Sequence, residues 1–297
     1  MSEINNQLIK QVLGIETDQE IRCDSVGLII DHEKQNMLSF LDDQKFLADL
    51  KSSPNISAIL VSKKLSSEVT SAHIKKIICD DPRYHYYTLT NYLSRQDYKE
   101  RDTQIHPTAK IAPSASVATH NVEIGQNVVI EPNAVILPDV IIGNNSIIRA
   151  GSILGSEGFE HKRTTKGILS VFHDGKVIIG ENVTIGANNI IDKGFSDRST
   201  KVGDFTKCNS FAFIGHCAQI GKRCLVGVGA IITGSSTVED DVWIGPSATI
   251  SNQVKVGSGA RVTMGSVVTQ NVEPGRHVTG NFAVDHSNFI EFIKSIR

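Results

Sequence analysis

A six-residue beat runs through the C-terminal two thirds of this 297-residue chain and limits its fold more than any other feature. A large aliphatic residue stands at Ile105, Ile111 and Val117. The spacing then slips by one, and the series continues at Ile124, Ile130, Ile136, Ile142, Ile148 and Leu154. It resumes at Ile179, Ile185 and Ile191, then holds for eleven steps from Val202 to Val268, with Cys208 the one non-aliphatic member of that run. The residue after the beat is often Gly, as at Gly125, Gly143, Gly180, Gly186, Gly215, Gly221 and Gly245. The fifth of each unit is usually small or apolar, as at Ala109, Ala134, Ala218, Ala230 and Ala248.

A period of six is neither the 3.6 of a helix nor the alternation of a single strand. It suits a short extended segment and a turn, with the aliphatic first residue and the small fifth residue inward and a Gly- and Asn-rich corner. Three units of six close a triangular coil. Stacked coils pair their strands in parallel, roughly 4.8 Å apart, so each inward side chain rests on the one a coil away and stability comes from neighbour stacking. An ordinary β-sandwich does not account for eleven unbroken steps. The expected class is mainly β: a parallel β-helix over residues 104–284, preceded by a small α/β domain over 1–103 and followed by a short helix over 285–297.

Residues before 104 carry no beat. Leu28–Ile30, Ala58–Val61 and Lys76–Cys79 read as strands, and Gln44–Lys51 and Tyr86–Arg95 as helices. Asp285–Arg297 reads as an amphipathic helix with Phe289, Ile290, Phe292 and Ile293 as its apolar residues. The net charge of −2 and the lack of a basic run argue against a nucleic-acid partner. The polar start Met-Ser-Glu-Ile-Asn-Asn is unlike a signal peptide, and no apolar stretch is long enough to span a membrane. Five cysteines without C-x-x-C spacing suggest reduced thiols, no metal and a cytoplasmic location. Cys208 occupies a beat position, and Cys217 is a weak candidate nucleophile.

The beat breaks twice, at an excursion between Leu154 and Ile179 and at a smaller insertion that carries Asp197 and Arg198. Loops that leave a rigid solenoid are common places for binding groups. Among ten histidines the sharpest candidate is His216, two residues after an inward Ile and therefore projecting from the coil wall. An imidazole suits a general base near neutral pH. Gly234 stands eighteen residues on, one coil away. A glycine over a histidine leaves room for a substrate and exposes a backbone N–H that can stabilise an oxyanion.

The pattern resembles the left-handed β-helix of the hexapeptide-repeat acyltransferases. Within them it resembles the UDP-3-O-acylglucosamine N-acyltransferases of lipid A synthesis and their relatives in surface-glycan pathways. The resemblance rests on Gly158-Phe159, on His173-Asp174-Gly175-Lys176-Val177-Ile178-Ile179-Gly180, on the run from Val183 through Ile190-Ile191-Asp192-Lys193-Gly194, and on Gly215-His216. Leu38–Phe46 resembles the family segment in which two aromatics sandwich a uracil. That implies Phe40 and Phe46 as the sandwich, with Asp43 where the family has Asn. The resemblance also implies a homotrimer with sites between subunits. No bound cofactor is implied; the co-substrate would be a thioester of coenzyme A or of acyl carrier protein.

Four departures bear on the substrate. The family carboxylate seven residues before the catalytic histidine is Asn209, and a second histidine falls on Gln253. The C-terminal extension is some dozen residues, and Phe172-His173-Asp174-Gly175 resembles the glycan-pathway relatives. The expectation is an N-acyltransferase acting on a nucleotide-linked amino sugar for lipopolysaccharide, O-antigen or capsule precursors. In it His216 is the base, Gly234 the oxyanion donor, and Asn209 or a neighbouring carbonyl orients His216. Phe40, Asp43 and Phe46 hold the base, while Glu157, Phe159, His173 and Gln253 line the rest of the substrate site. The alternatives are the lipid A enzyme itself and a non-catalytic β-helix that binds a nucleotide sugar. A zinc carbonic anhydrase on the same fold is disfavoured, because residue 221, five after His216, is Gly.

Overall fold

In the computed structural model, residues 3–29, 31, 34–196, 198–280 and 283–296 are described. They divide into two compact units. One comprises Arg101–Gly158, Lys176–Lys193 and Ser199–Arg297, the other Met1–Glu100, Phe159–Gly175 and Gly194–Arg198.

The first unit is a parallel β-solenoid whose three faces are sheets of eight, nine and eight strands among the described residues. The first face begins at Gln104–Ile105, the second at Lys110–Ile111 and the third at Ser116–Val117. On the third face Ile214 pairs with Ile232, Ile232 with Ile250 and Ile250 with Val268, so the beat is the register. The inward column is fully buried, Ile148, Ile185, Ile232 and Ile244 all being 0% exposed. Most corners place one residue in the left-handed region, three places after the inward residue: Asn127, Asn133, Asn145, Asn182 and Asn188 have φ between 55° and 60°. Asn tolerates that conformation because its short side chain can bond locally. Both insertions leave and return in register, since Leu154 pairs with Ile191 and Ile191 with Ile214.

In the second unit β1 (Ile4–Asn5) pairs antiparallel with β2 (Arg22–Cys23), around α1 (Asn6–Leu13). A parallel sheet follows in the order β3 (Ser25–Val26), β4 (Met37–Leu41), β5 (Ile56–Val61) and β6 (Lys75–Ile78). Between β4 and β5 a 3-10 turn at Gln44–Phe46 runs into α2 (Leu47–Lys51). After β6 comes α3 (Pro82–Asp97), which starts earlier than its apolar pattern suggests. The Asp81 side chain caps it by accepting from Tyr84 N, and Pro82 fits the first helical turn.

The strand expected at Leu28–Ile30 is not formed at Leu28 and Ile29, and Ile30 lies outside the described residues. Asp31 takes both main-chain groups of Leu28: its carboxylate accepts from Leu28 N at 3.0 Å and its N–H donates to Leu28 O at 2.9 Å. A turn therefore replaces the ladder, and the strand is the preceding Ser25–Val26. The excursion from the solenoid contains an antiparallel hairpin in which His161–Thr164 pairs with Gly167–Ser170. The C-terminal helix, α4 (His286–Ser295), is capped by Asp285 and leaves Phe289 and Phe292 exposed. Among the described residues no helix is long and apolar enough to cross a membrane.

Candidate active site

His216 lies on the solenoid edge where the third face turns into the first, between the strands Phe213–Ile214 and Gln219–Ile220. Its ring lies against Gly234 of the next coil: a Cβ at residue 234 would stand 2.3 Å from His216 Cε1 and 2.5 Å from Nε2. No side chain larger than hydrogen fits there while the ring keeps its place. The Gly234 N–H has no hydrogen-bond acceptor among the described residues, while its carbonyl accepts from Gln253 N at 3.3 Å. The base and the N–H without an acceptor thus share one edge of one chain, and Gln253 continues that edge another coil on.

From Val202 on, none of the non-glycine left-handed corner residues among the described residues is Asn on any edge. In these coils the left-handed positions of the His216 edge are Cys217, Ser235 and Gln253, with φ of 60°, 59° and 63°. Cys217 is 4% exposed and its N–H donates to Thr200 Oγ1 at 2.8 Å, so packing and turn geometry account for its place. None of the five cysteines is in a disulfide, and among the described residues no His/Cys/Asp/Glu group could hold a metal.

One coil before His216 the edge holds buried ionisable groups that lie outside the expected catalytic set. Asp192 is 5% exposed and accepts from Ser156 Oγ at 2.7 Å. Burial pushes its carboxyl up to about 6, the Ser156 hydroxyl offsetting part of that rise. Lys193, 8% exposed, pairs with Asp139 at 3.3 Å. A signal for Asp192 existed: Gly commonly follows an inward Ile, and after Ile191 there is an Asp.

A carboxyl raised in the folded state favours folding while it is protonated, and that contribution fades as pH rises through its folded value. Stability should therefore fall between pH 4 and about 6 on account of this group. Asp192→Asn should remove that part of the slope and raise stability at pH 7.5 relative to the parent. Urea melts across the window check it, and an unchanged slope in the variant would refute the assignment.

Asn209 lies on a different edge, between the second and third faces, where its Oδ1 accepts from Ser210 N at 2.7 Å. Within one chain it does not reach His216. Residues seven apart fall on successive corners of a six-residue repeat, so the spacing already contained this separation. Asp197 lies outside the described residues.

The nucleotide candidates are in the other unit. Phe40 stacks on α3, with ring centroids 4.7 Å from Tyr86 and 5.8 Å from Tyr87. Phe46 packs against the cluster that includes Met37, Leu41, Ile59 and Val61, with Lys45 Nζ 4.9 Å from its ring centre. Because side chains alternate along β4, the two phenylalanines approach its carboxyl end from opposite faces of the sheet. Carboxyl ends of parallel strands are where such sheets bind ligands. The exposed Asp43 accepts from Lys45 N at 3.0 Å and caps the 3-10 turn. That backbone bond, with the Lys45 ammonium also contributing, holds its carboxyl below the usual range.

Glu157 is exposed on the solenoid side of the excursion, and Phe159 is 87% exposed with His161 edge-on at 4.8 Å. His173 is 2% exposed, its ring 5.7 Å from that of Phe195. The structure thus brings His216, Gly234 and Gln253 together on one edge, sets Asn209 apart from them, and groups Phe40, Asp43, Phe46, Phe159 and His173 in the other unit.

Comparison with known proteins agrees with the repeat. Residues 121–156 match the bacterial transferase hexapeptide (six repeats), and residues 176–204 and 236–270 match the hexapeptide repeat of succinyl-transferase. A UDP-3-O-acylglucosamine N-acyltransferase of Methylorubrum extorquens (strain PA1) is 41% identical over 95 residues, which is 32% of this chain and 27% of that protein. One from Rhizobium johnstonii is 38% identical over 86 residues, 29% of this chain and 24% of that protein. The matched stretch spans about a quarter of the length of these curated relatives. Among solved structures, a UDP-N-acetylglucosamine acyltransferase is similar with a TM-score of 0.49 and 22% identity, covering 66% of this chain and 80% of that one. That degree of likeness bears on neither substrate nor assembly.

Proposed function

We propose that this hexapeptide-repeat chain, which resembles UDP-3-O-acylglucosamine N-acyltransferases, is an N-acyltransferase for a nucleotide-linked amino sugar in lipopolysaccharide or other surface-glycan precursor synthesis. The observation that carries the reading is the His216 ring lying against Gly234, with the Gly234 N–H unclaimed by any acceptor among the described residues. The sugar amine attacks the thioester carbonyl and forms a C–N bond. His216 accepts the proton that the amine sheds, and Gly234 N–H donates to the carbonyl oxygen as it gains charge. The intermediate collapses with cleavage of C–S, and the His216 imidazolium returns its proton to the departing thiolate. The amide and a free thiol result. The acyl donor is a thioester of coenzyme A or of acyl carrier protein.

Phe40 and Phe46 take the nucleotide base, stacking being worth about 1–3 kcal/mol per base. Phe159, 87% exposed, offers its ring to the sugar, and Glu157 and His173 are the other residues assigned to sugar binding. The lipid A reaction is the second reading, favoured by the matched relatives, which are UDP-3-O-acylglucosamine N-acyltransferases.

The assembly we propose is a homotrimer, supported by the outward side of the third face. Ile153, Ile190, Phe213 and Ile231 succeed one another there in register, followed by Thr249 and Val267. Ile190, Ile231 and Val267 are 40%, 41% and 61% exposed. The equivalent positions on the first face include Glu123, Lys201, Gln219 and Lys255. Exposed apolar patches of this kind mark association surfaces. The third face ends at the His216 edge on one side and the Asn209 edge on the other. A second copy seated on it would carry its own Asn209 edge toward His216, which gives Asn209 an orienting role across subunits.

The test is thiol release with UDP- and dTDP-linked 3- and 4-amino sugars and UDP-3-O-acylglucosamine. Each is crossed with acetyl-CoA, 3-hydroxybutyryl-CoA and 3-hydroxymyristoyl carrier protein. Turnover with a short CoA thioester is the expected result. Turnover confined to the long carrier-bound chain selects the lipid A reading. Nucleotide-sugar binding without thiol release under any donor would overturn both and leave a binding scaffold.

A further inference from the structure

We propose that Asn91 of α3 is a positioning residue: it fixes the extended segment that carries His173 and so sets how tightly the amino-sugar nucleotide is held. The inference rests on the acyl-transfer reading in one respect, the place of His173 beside the sugar.

Asn91 makes two hydrogen bonds with one amide. Its Nδ2 donates to Ser170 O at 2.8 Å, and its Oδ1 accepts from Phe172 N at 2.8 Å. A primary amide carries donor and acceptor together, so it pairs with an extended backbone much as a neighbouring strand would. The residues around His173 are pinned in the same way. Ser94, three residues further along α3, donates through Oγ to Asp174 Oδ2 at 2.5 Å. Gly175 N donates to Gly194 O at 3.1 Å, and a Cβ at residue 175 would lie 2.0 Å from Arg198 O. The Phe172 ring is held between Arg95, 5.4 Å away, and Tyr98, edge-on at 6.1 Å. Positions 91, 94 and 95 are three and four apart and therefore share one face of α3, and Tyr98 follows as its C-cap. His173 is thus bracketed on both sides, and its ring sits edge-on to Phe195.

Anchoring the excursion does not need this clip. At the hairpin tip Thr165 already donates to Asp81 Oδ2 from its N–H at 2.6 Å and from its hydroxyl at 2.8 Å, and Lys162 Nζ lies 4.8 Å from the Tyr87 ring centre. Those contacts hold the hairpin. The Asn91 amide acts on the two residues flanking Val171, whose C-terminal member precedes His173 directly. Its effect is on where the imidazole stands.

The test is Asn91→Ala in the full chain. Alanine is the best helix former, so α3 persists. Three readouts are compared with the parent: amide hydrogen exchange, calorimetric binding of a UDP-linked amino sugar, and thiol release with and without amine. Exchange at Phe172–Asp174 should speed up while Thr165–Gly167 stays as protected as before. The dissociation constant should rise about tenfold, the scale of one or two net hydrogen bonds. Both kcat and amine-independent thioester hydrolysis should stay within about threefold, as expected when binding rather than transition-state stabilisation is lost. Faster exchange with unchanged binding would reduce the clip to a structural contact and overturn the proposal, as would unchanged exchange. A parallel fall in kcat and hydrolysis would overturn it too, as a sign of general damage. If the parent binds the nucleotide sugar but releases no thiol, the acyl-transfer reading fails while the binding comparison still decides the role of Asn91. If the parent does not bind it, both fail.

Discussion

Replacing His216 with alanine is expected to lower thiol release by about 10²–10⁴-fold, the usual contribution of a positioned general base, while the solenoid stays folded. The fold should survive because the inward column beside this edge is Ile214 and Ile232, both buried, and neither packs less well when a partly exposed corner side chain is shortened. Activity assays, circular dichroism and sedimentation on the same preparation check the two halves of the claim. Near-parent turnover in a folded variant would remove His216 from the mechanism and with it the reading of the edge as a catalytic site.

The second large effect is expected from a single methyl group. Gly234→Ala puts a Cβ within 2.8 Å of three His216 ring atoms, so either the ring swings away or the coil shifts and carries the 234 N–H with it. Loss of one oxyanion donor alone lowers kcat by about 10²–10³-fold. Overpacking of this kind also costs about 1–3 kcal/mol of stability. The two effects separate in a double mutant. In a His216→Ala background the ring is gone, and adding Gly234→Ala should then cost little further stability. A coupling energy of this sign is what touching residues give and distant ones do not. Additive losses would mean that the strain at 234 comes from the backbone and not from the histidine.

Much of the site edge was legible because the repeat fixes geometry by counting. Eighteen residues separate His216 from Gly234, and in an unbroken run that spacing stacks them. The same counting placed Asn209 on another edge, although a motif comparison that ignores the corner index reads it as a neighbour of His216. Asp192 was less visible. Its identity departs from the Gly common after an inward Ile, yet its raised carboxyl depends on how closely Ser156 and the surrounding coils enclose it.

The N-terminal unit was harder for a related reason. β4 carries Ser39 at its centre, 0% exposed, and a buried serine in a short apolar run hides the strand from any pattern of apolar residues. At Leu28 a single carboxylate, Asp31, converts an apolar stretch into a turn.

The sequence by itself determined the solenoid, its register, its corners and the stacking of His216 on Gly234. Every one of these follows from nearest-neighbour packing of a short unit repeated without error, in which local spacing and spatial contact are the same thing. Only the tertiary structure decided that the excursion belongs with the N-terminal unit and that α3 clamps it on both sides of His173. Those bonds join residues such as Asn91 and Ser170, which are 79 positions apart. They are made by single polar side chains that meet once, and an interaction that occurs once leaves no period to read.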